Sequence, residues 1–144
     1  MNNQTLLCFD YGKKRIGVAV GQTITATATA LETINVINGK PDWKRVSALI
    51  EEWNPEKLIV GKPLTLEGEH QEMTAIAERF SRQLENRYKL PVEMIEEQLS
   101  SFEARRHLKS TRNLDPVAAK LILETWLNEF RDIEYRQTVS NKED

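Results

Sequence analysis

An α/β layered sheet with crossover helices is the fold class this sequence predicts, and three observations carry it. Two apolar runs, residues 6–9 and 16–20, flank Asp10 and Gly12, as two strands joined by a tight turn would. From Asp42 onward, helical and strand-like patterns alternate, which suits strands joined by packed helices. Residues 57–60 form a short apolar run of the kind found in buried parallel strands.

In chain order, the opening hairpin leads into residues 22–37, where alternating Thr and Ala with Leu31, Ile34 and Val36 predict a third strand with one wet face. Asn38, Gly39, Lys40 and Pro41 spell a turn, and Asp42 is placed to N-cap a helix. That helix runs to Trp53, with Val46, Leu49, Ile50 and Trp53 at helical spacing, and Asn54 and Pro55 stop it. After the run at 57–60, Gly61, Lys62, Pro63 and Leu64 form a loop. Residues 71–88 predict a long amphipathic helix with Met73, Ile76, Ala77, Phe80 and Leu84 on one face. Residues 92–96 resume as a strand. Ser100 and Glu103 make a capping box for a short helix at 102–108, and Asp115 followed by Pro116 opens a final helix. Val117, Leu121, Ile122, Thr125 and Trp126 line one face of that helix, which is expected to end near Phe130. Residues 1–131 read as one domain and 132–144 as a polar, frayed tail.

The 144 residues suffice to bury a core without staples, and 40% hydrophobic with 29% charged residues is ordinary for a globular protein. The single cysteine, Cys8, excludes an internal disulfide and suits a reducing cytoplasm. No segment has the pattern of a signal peptide or a membrane-spanning helix. Two histidines and one cysteine are too few for zinc, whereas oxygen-bound ions stay open. The net charge of −2 means that any nucleic-acid contact needs local basic patches.

Three acids stand at element ends: Asp10 after the first strand, Glu97 after the last strand, and Asp115 at the start of the last helix. Singly, each has a plain explanation. Asp10 suits an Asx-turn, Glu97 a solvated loop beside Glu96, and Asp115 an N-cap. If the sheet brings these ends to one rim, three negative charges raise one another's pKa or demand a cation. A pair of Mg²⁺ or Mn²⁺ ions answers that demand and suits phosphodiester chemistry.

With these residues in view, the sequence resembles the YqgF family, also described as Holliday junction resolvases or pre-16S rRNA nucleases. Phe9, Asp10, Tyr11 and Gly12, leading to Ile16, Gly17, Val18 and Ala19, resemble the first family block. Val60, Gly61, Lys62, Pro63 and Leu64, with Gly68, resemble the second. The third is Glu96, Glu97, Gln98, Leu99, Ser100 and Ser101 with Glu103, Ala104 and Arg105. The fourth is Leu114 and Asp115 with Ala118, Ala119, Ile122 and Leu123. The resemblance implies a ribonuclease-H-like fold, a mixed five-stranded sheet flanked by helices, with Asp10, Glu97 and Asp115 as metal-binding catalytic acids. There are departures: Gln98 replaces the usual arginine, Glu96 an aspartate, and Ala118 stands where RuvC-type resolvases carry another aspartate.

Basic residues gather in two places. Lys13, Lys14 and Arg15 follow Asp10 directly, while Arg105, Arg106, His107, Lys109 and Arg112 precede Asp115, with Lys62 in the second loop. Such clusters hold phosphates without reading bases, although a charge run is also simply a solvated face. The expectation is a two-metal nuclease acting on the 5′ end of the 16S rRNA precursor, or alternatively on branched DNA, in the cytoplasm and with scope for a homodimer. A non-catalytic nucleic-acid-binding scaffold is the other class. An actin-like ATPase phosphate loop over Asp10, Tyr11 and Gly12 is a third, but such enzymes need two large domains.

Overall fold

Strand alternation in the opening hairpin divides the molecule into two layers. β1 (Thr5–Tyr11) and β2 (Arg15–Gln22) pair antiparallel, with Leu6 across from Gly21, Cys8 from Ala19 and Asp10 from Gly17. The Gly12 N–H donates to the Arg15 carbonyl at 2.8 Å to close the turn. A Cβ on Gly12 would meet that same oxygen at 2.7 Å, so the turn needs glycine. These coordinates come from a computed structural model, which describes residues 3–12, 14–62, 71–96 and 115–142.

β3 (Thr27–Ile37) pairs antiparallel with β2, and β4 (Lys40–Pro41) pairs antiparallel with the end of β3. After α1 (Trp43–Trp53), β5 (Lys57–Lys62) returns parallel to β1. After α2 (Gln71–Tyr88), β6 (Val92–Glu96) lies parallel to β5. The described strands form one mixed sheet in the order β4-β3-β2-β1-β5-β6, and α3 (Asp115–Lys142) completes the fold.

Leu7, Phe9 and Tyr11 share a sheet face with Ile16, Val18, Val20, Leu58 and Val60. This face is covered by Val46 and Leu49 of α1 and by Ala77, Phe80 and Leu84 of α2. Phe80 is the hub, its ring centroid 5.6 Å from Phe9, 4.9 Å from Tyr11 and 5.5 Å from Trp43. The other face, with Leu6, Cys8, Ala19 and Ile59, lies under Ala119, Ile122, Leu123, Trp126 and Leu127 of α3. On that side β2 presents Gly17, Ala19 and Gly21 beyond Arg15 at its start. A Cβ on Gly21 would come within 2.8 Å of Leu123 Cδ2 and 3.0 Å of the Thr27 carbonyl oxygen. Small residues on β2 therefore let α3 sit close to the sheet.

The helices at 43–53 and 71–88 and the strand at 92–96 fall where the sequence predicts them. Asp42 caps α1, accepting from the Arg45 N–H at 3.3 Å, and Asn54 ends it in the left-handed region at φ 46°. Three expectations need correction. The sheet has six described strands rather than five, because Lys40 and Pro41 of the expected turn pair with Ile37 and Val36. Gln22 belongs to β2, and β3 starts only at Thr27, after a turn in which Ala26 takes φ 51°. The last helix does not stop near Phe130 but continues to Lys142, through residues expected to fray. No glycine or proline interrupts residues 130–142, and polarity alone does not end a helix. The expected helix at 102–108 lies outside the described residues. No helix among the described residues is long and apolar enough to cross a membrane.

Candidate functional site

Asp10 is the last residue of β1 on the face that α3 covers, since it follows Leu6 and Cys8 in the alternation. It is half-buried. Gly17 stands directly across from it on β2. One step beyond the Phe9–Val60 pair, Gly61 comes level with it on β5, and Gly61 in turn pairs with Ile95 of β6. The carboxylate is thus carried on a strand whose two neighbours offer no side chain at that level. Glycine at such positions admits close approach by a ligand or another backbone.

The parallel order of β1, β5 and β6 brings their C-terminal ends to one edge of the sheet. β6 ends at Glu96, level with Lys62 and one residue before Glu97 in sequence. Glu97 itself lies outside the described residues. The contacts of α3 show where it crosses the sheet. Leu123 packs where a Gly21 side chain would stand, and the Trp126 indole N–H donates to Glu93. The Lys57 ammonium lies 5.2 Å from the Trp126 ring centroid and 3.6 Å from the Glu93 carboxylate. Gly21, Leu6 and Lys57 share one row near the start of β1. α3 therefore crosses the sheet over that row, with Leu123 against β2 and Trp126 against β5 and β6. Asp115 opens α3 by its backbone, and its side chain lies outside the described set.

Among the described residues, no group of three or more His, Cys, Asp and Glu is gathered closely enough to hold a metal ion. Of the three acids, only Asp10 has its side chain in that set. The donors expected at the rim are all carboxylates, which suit hard ions such as Mg²⁺ and Mn²⁺ rather than zinc.

The described part of the basic complement meets the same edge. Lys14 is exposed in the turn after Asp10, and its carbonyl accepts from the Val36 N–H at 2.8 Å, tying the turn to β3. Arg15 is half-buried and falls on the face of Gly17 and Asp10 by strand alternation. Lys62 ends β5 at that edge by its backbone. Lys13, Arg105, Arg106, His107, Lys109 and Arg112 lie outside the described residues. Cys8 is fully buried under α3, a core residue as expected. Gly17 and Gly61 are contributors to the rim that the sequence alone does not reveal. Their signal was a glycine at the level of an acid on two neighbouring strands, and it needs the register to be seen.

Comparison with known proteins agrees with this architecture. The family described as RuvX, Holliday junction resolvase, matches residues 4–129. A protein from Hydrogenovibrio crunogenus named "Putative pre-16S rRNA nuclease" is 51% identical over 121 residues, covering 83% of this chain and 90% of its own length. One of the same name from Coxiella burnetii is 45% identical over 137 residues, covering 90% and 97% respectively. Among solved structures, Thermus thermophilus RuvC in complex with a Holliday junction substrate superposes with a TM-score of 0.57 at 15% identity. The match covers 89% of this chain and 96% of that one. A second Thermus thermophilus RuvC structure gives 0.51 at 13% identity, with the same shares covered. At such identities the likeness speaks for the fold, which is that of RuvC-like resolvases.

Proposed function

This chain belongs to the RuvX family, described as Holliday junction resolvase, and we propose that it is a nuclease cutting the 16S rRNA precursor at its 5′ end. The chemistry is hydrolysis of a nucleic-acid phosphodiester bond. One observation carries the reading: Asp10 stands at the end of β1 between two glycine positions, at the rim where β5 and β6 also end. Rigid strands on both sides fix the carboxylate, and glycine on each of them keeps side chains from crowding it.

In this proposal Asp10, Glu97 and Asp115 are the catalytic acids and would hold Mg²⁺ or Mn²⁺. Such ions, when bound, supply Lewis-acid polarisation of the phosphate and lower the pKa of a water. Asp10 sets the position of the donor set from the sheet, and Asp115 does so from the helix. Lys13, Lys14, Arg15 and Lys62 attract the strand on one side of the rim. Arg105, Arg106, Lys109 and Arg112, the basic residues before Asp115 in sequence, would add to this attraction, through contacts that ignore base identity. The RNA reading is favoured over the junction reading by relatives at 45% and 51% identity named for pre-16S rRNA. A homodimer belongs to the same proposal and is checked by sedimentation.

The test is cleavage of labelled 16S precursor fragments and labelled four-way DNA junctions by the purified protein with Mg²⁺ or Mn²⁺, beside the Asp10→Asn variant. Metal-dependent cleavage of the precursor, lost in the variant, is the expected result. Cleavage that survives thorough chelation, or that the variant retains, overturns the assignment. Preference for the junction would exchange the substrate and keep the chemistry.

A further inference from the structure

On the sheet face opposite Asp10, at the same end of β1, a cleft of about 260 Å³ lies between α2 and the β3–β4 hairpin. Its lining is Tyr11, Val36, Gly39, Ile76, Arg79, Phe80 and Gln83. Ile76, Arg79, Phe80 and Gln83 recur at intervals of three and four along α2, so one helix face supplies an apolar wall and two polar groups. Tyr11 and Phe80 form a tilted aromatic pair at its base. The positive φ of Gly39, 74°, turns the hairpin so that backbone rather than a side chain borders the opening.

Its position and charge suggest an occupant. Tyr11 follows Asp10 in sequence, so the cleft and the acidic rim are separated by the thickness of one strand and its turn. That turn carries the exposed Lys14, and the hairpin on the far side carries the exposed Lys40. Arg79 is exposed at the mouth. Lys14, Lys40 and Arg79 thus stand on the elements around a mostly apolar recess with an amide and a phenol in its wall. The volume lies just below the usual range of small-molecule sites, about 300–1,000 Å³, so it admits one ring system rather than a helix or a duplex.

We propose that this cleft holds one unpaired base of the RNA strand next to the bond that is cut, with Arg79 on its phosphate and Gln83 and the Tyr11 hydroxyl toward its polar edge. The proposal rests on the nuclease reading for the strand's path, but the base site is measurable without cleavage. The Tyr11 hydroxyl can both donate and accept a hydrogen bond at that edge.

The experiment uses the full chain and single-stranded RNAs from the precursor end, with 2-aminopurine or an abasic unit moved one position at a time. One position should change fluorescence on binding. An abasic unit there should weaken binding about tenfold, as expected for loss of one base held by a protein site. Tyr11→Phe, Gln83→Ala and Arg79→Ala should each weaken the intact strand, and the first two should leave the abasic strand unaffected. Tyr11→Phe keeps the ring packing, so misfolding does not account for its effect. Equal affinity for abasic and intact strands at every position overturns the base site, as does a failure to bind RNA. The two proposals separate cleanly. Base preference without metal-dependent cleavage keeps the cleft and rejects the nuclease, whereas cleavage without base preference does the reverse.

Discussion

Asp10 and Gly17 face each other across β1 and β2, so the strand beside the carboxylate has no side chain at its level. Glycine at this level is what the proposed site asks beside a carboxylate meant to meet ions and a phosphate backbone. Asp10→Asn changes one oxygen to an amide and removes no packing. It should lower metal-dependent cleavage about 10³-fold, or about 4 kcal/mol of barrier, while thermal unfolding stays close to that of the wild type. Single-turnover cleavage and a melting curve on the same preparation check both halves. A large loss of melting temperature would make Asp10 a structural residue instead.

Close packing of α3 on β2 sets a second expectation. Gly21→Ala puts a methyl group 2.8 Å from Leu123 Cδ2 and 3.0 Å from a backbone oxygen. Leu123 is fully buried and cannot swing clear. The variant should lose about 1–3 kcal/mol by overpacking, and shortening Leu123 to Ala in the same chain should cost less than the sum of the two single changes. Urea melts of the four proteins measure this, and strict additivity would contradict the contact.

Phe80 connects α2 to β1 and α1 through three ring contacts and is almost wholly buried. Phe80→Ala should destabilise the fold by about 3–5 kcal/mol, whereas Phe80→Leu should retain much of that. Denaturant unfolding distinguishes them. Equal losses would mean that the ring contacts, rather than the apolar volume, are what matters at this position.

Arg45 grips Glu32 with two hydrogen bonds, from Nε at 2.6 Å and from Nη2 at 2.5 Å. These bonds hold the Glu32 carboxyl below its ordinary value of 4.5, against a smaller opposing effect of burial. A lowered folded-state pKa means that the unfolded chain takes up the proton first. The pair's contribution is therefore present above the ordinary glutamate value and is lost as pH falls through the folded one. Glu32→Gln should lower the melting temperature slightly at neutral pH, and the gap should close as the solution is acidified. Both side chains are partly exposed, so salt should narrow the gap as well. A gap independent of pH would show that the ion pair is not its cause.

Local patterns in the sequence determined the helices at 43–53 and 71–88, the strand at 92–96, the cap at Asp42 and the acid that ends the first strand. These features depend on neighbours a few residues away, through hydrogen bonds along the backbone and periodic burial of side chains. The extent of the last helix escaped because a polar stretch without glycine or proline carries no stop signal. Tertiary structure alone decided that Gly17 and Gly61 flank Asp10, that β2 turns its small side to α3, and that Tyr11, Arg79 and Gln83 border one cleft. Each of those facts joins residues far apart in the chain, and strand register and helix direction follow from which surfaces exclude water together. No pattern within one segment can specify that.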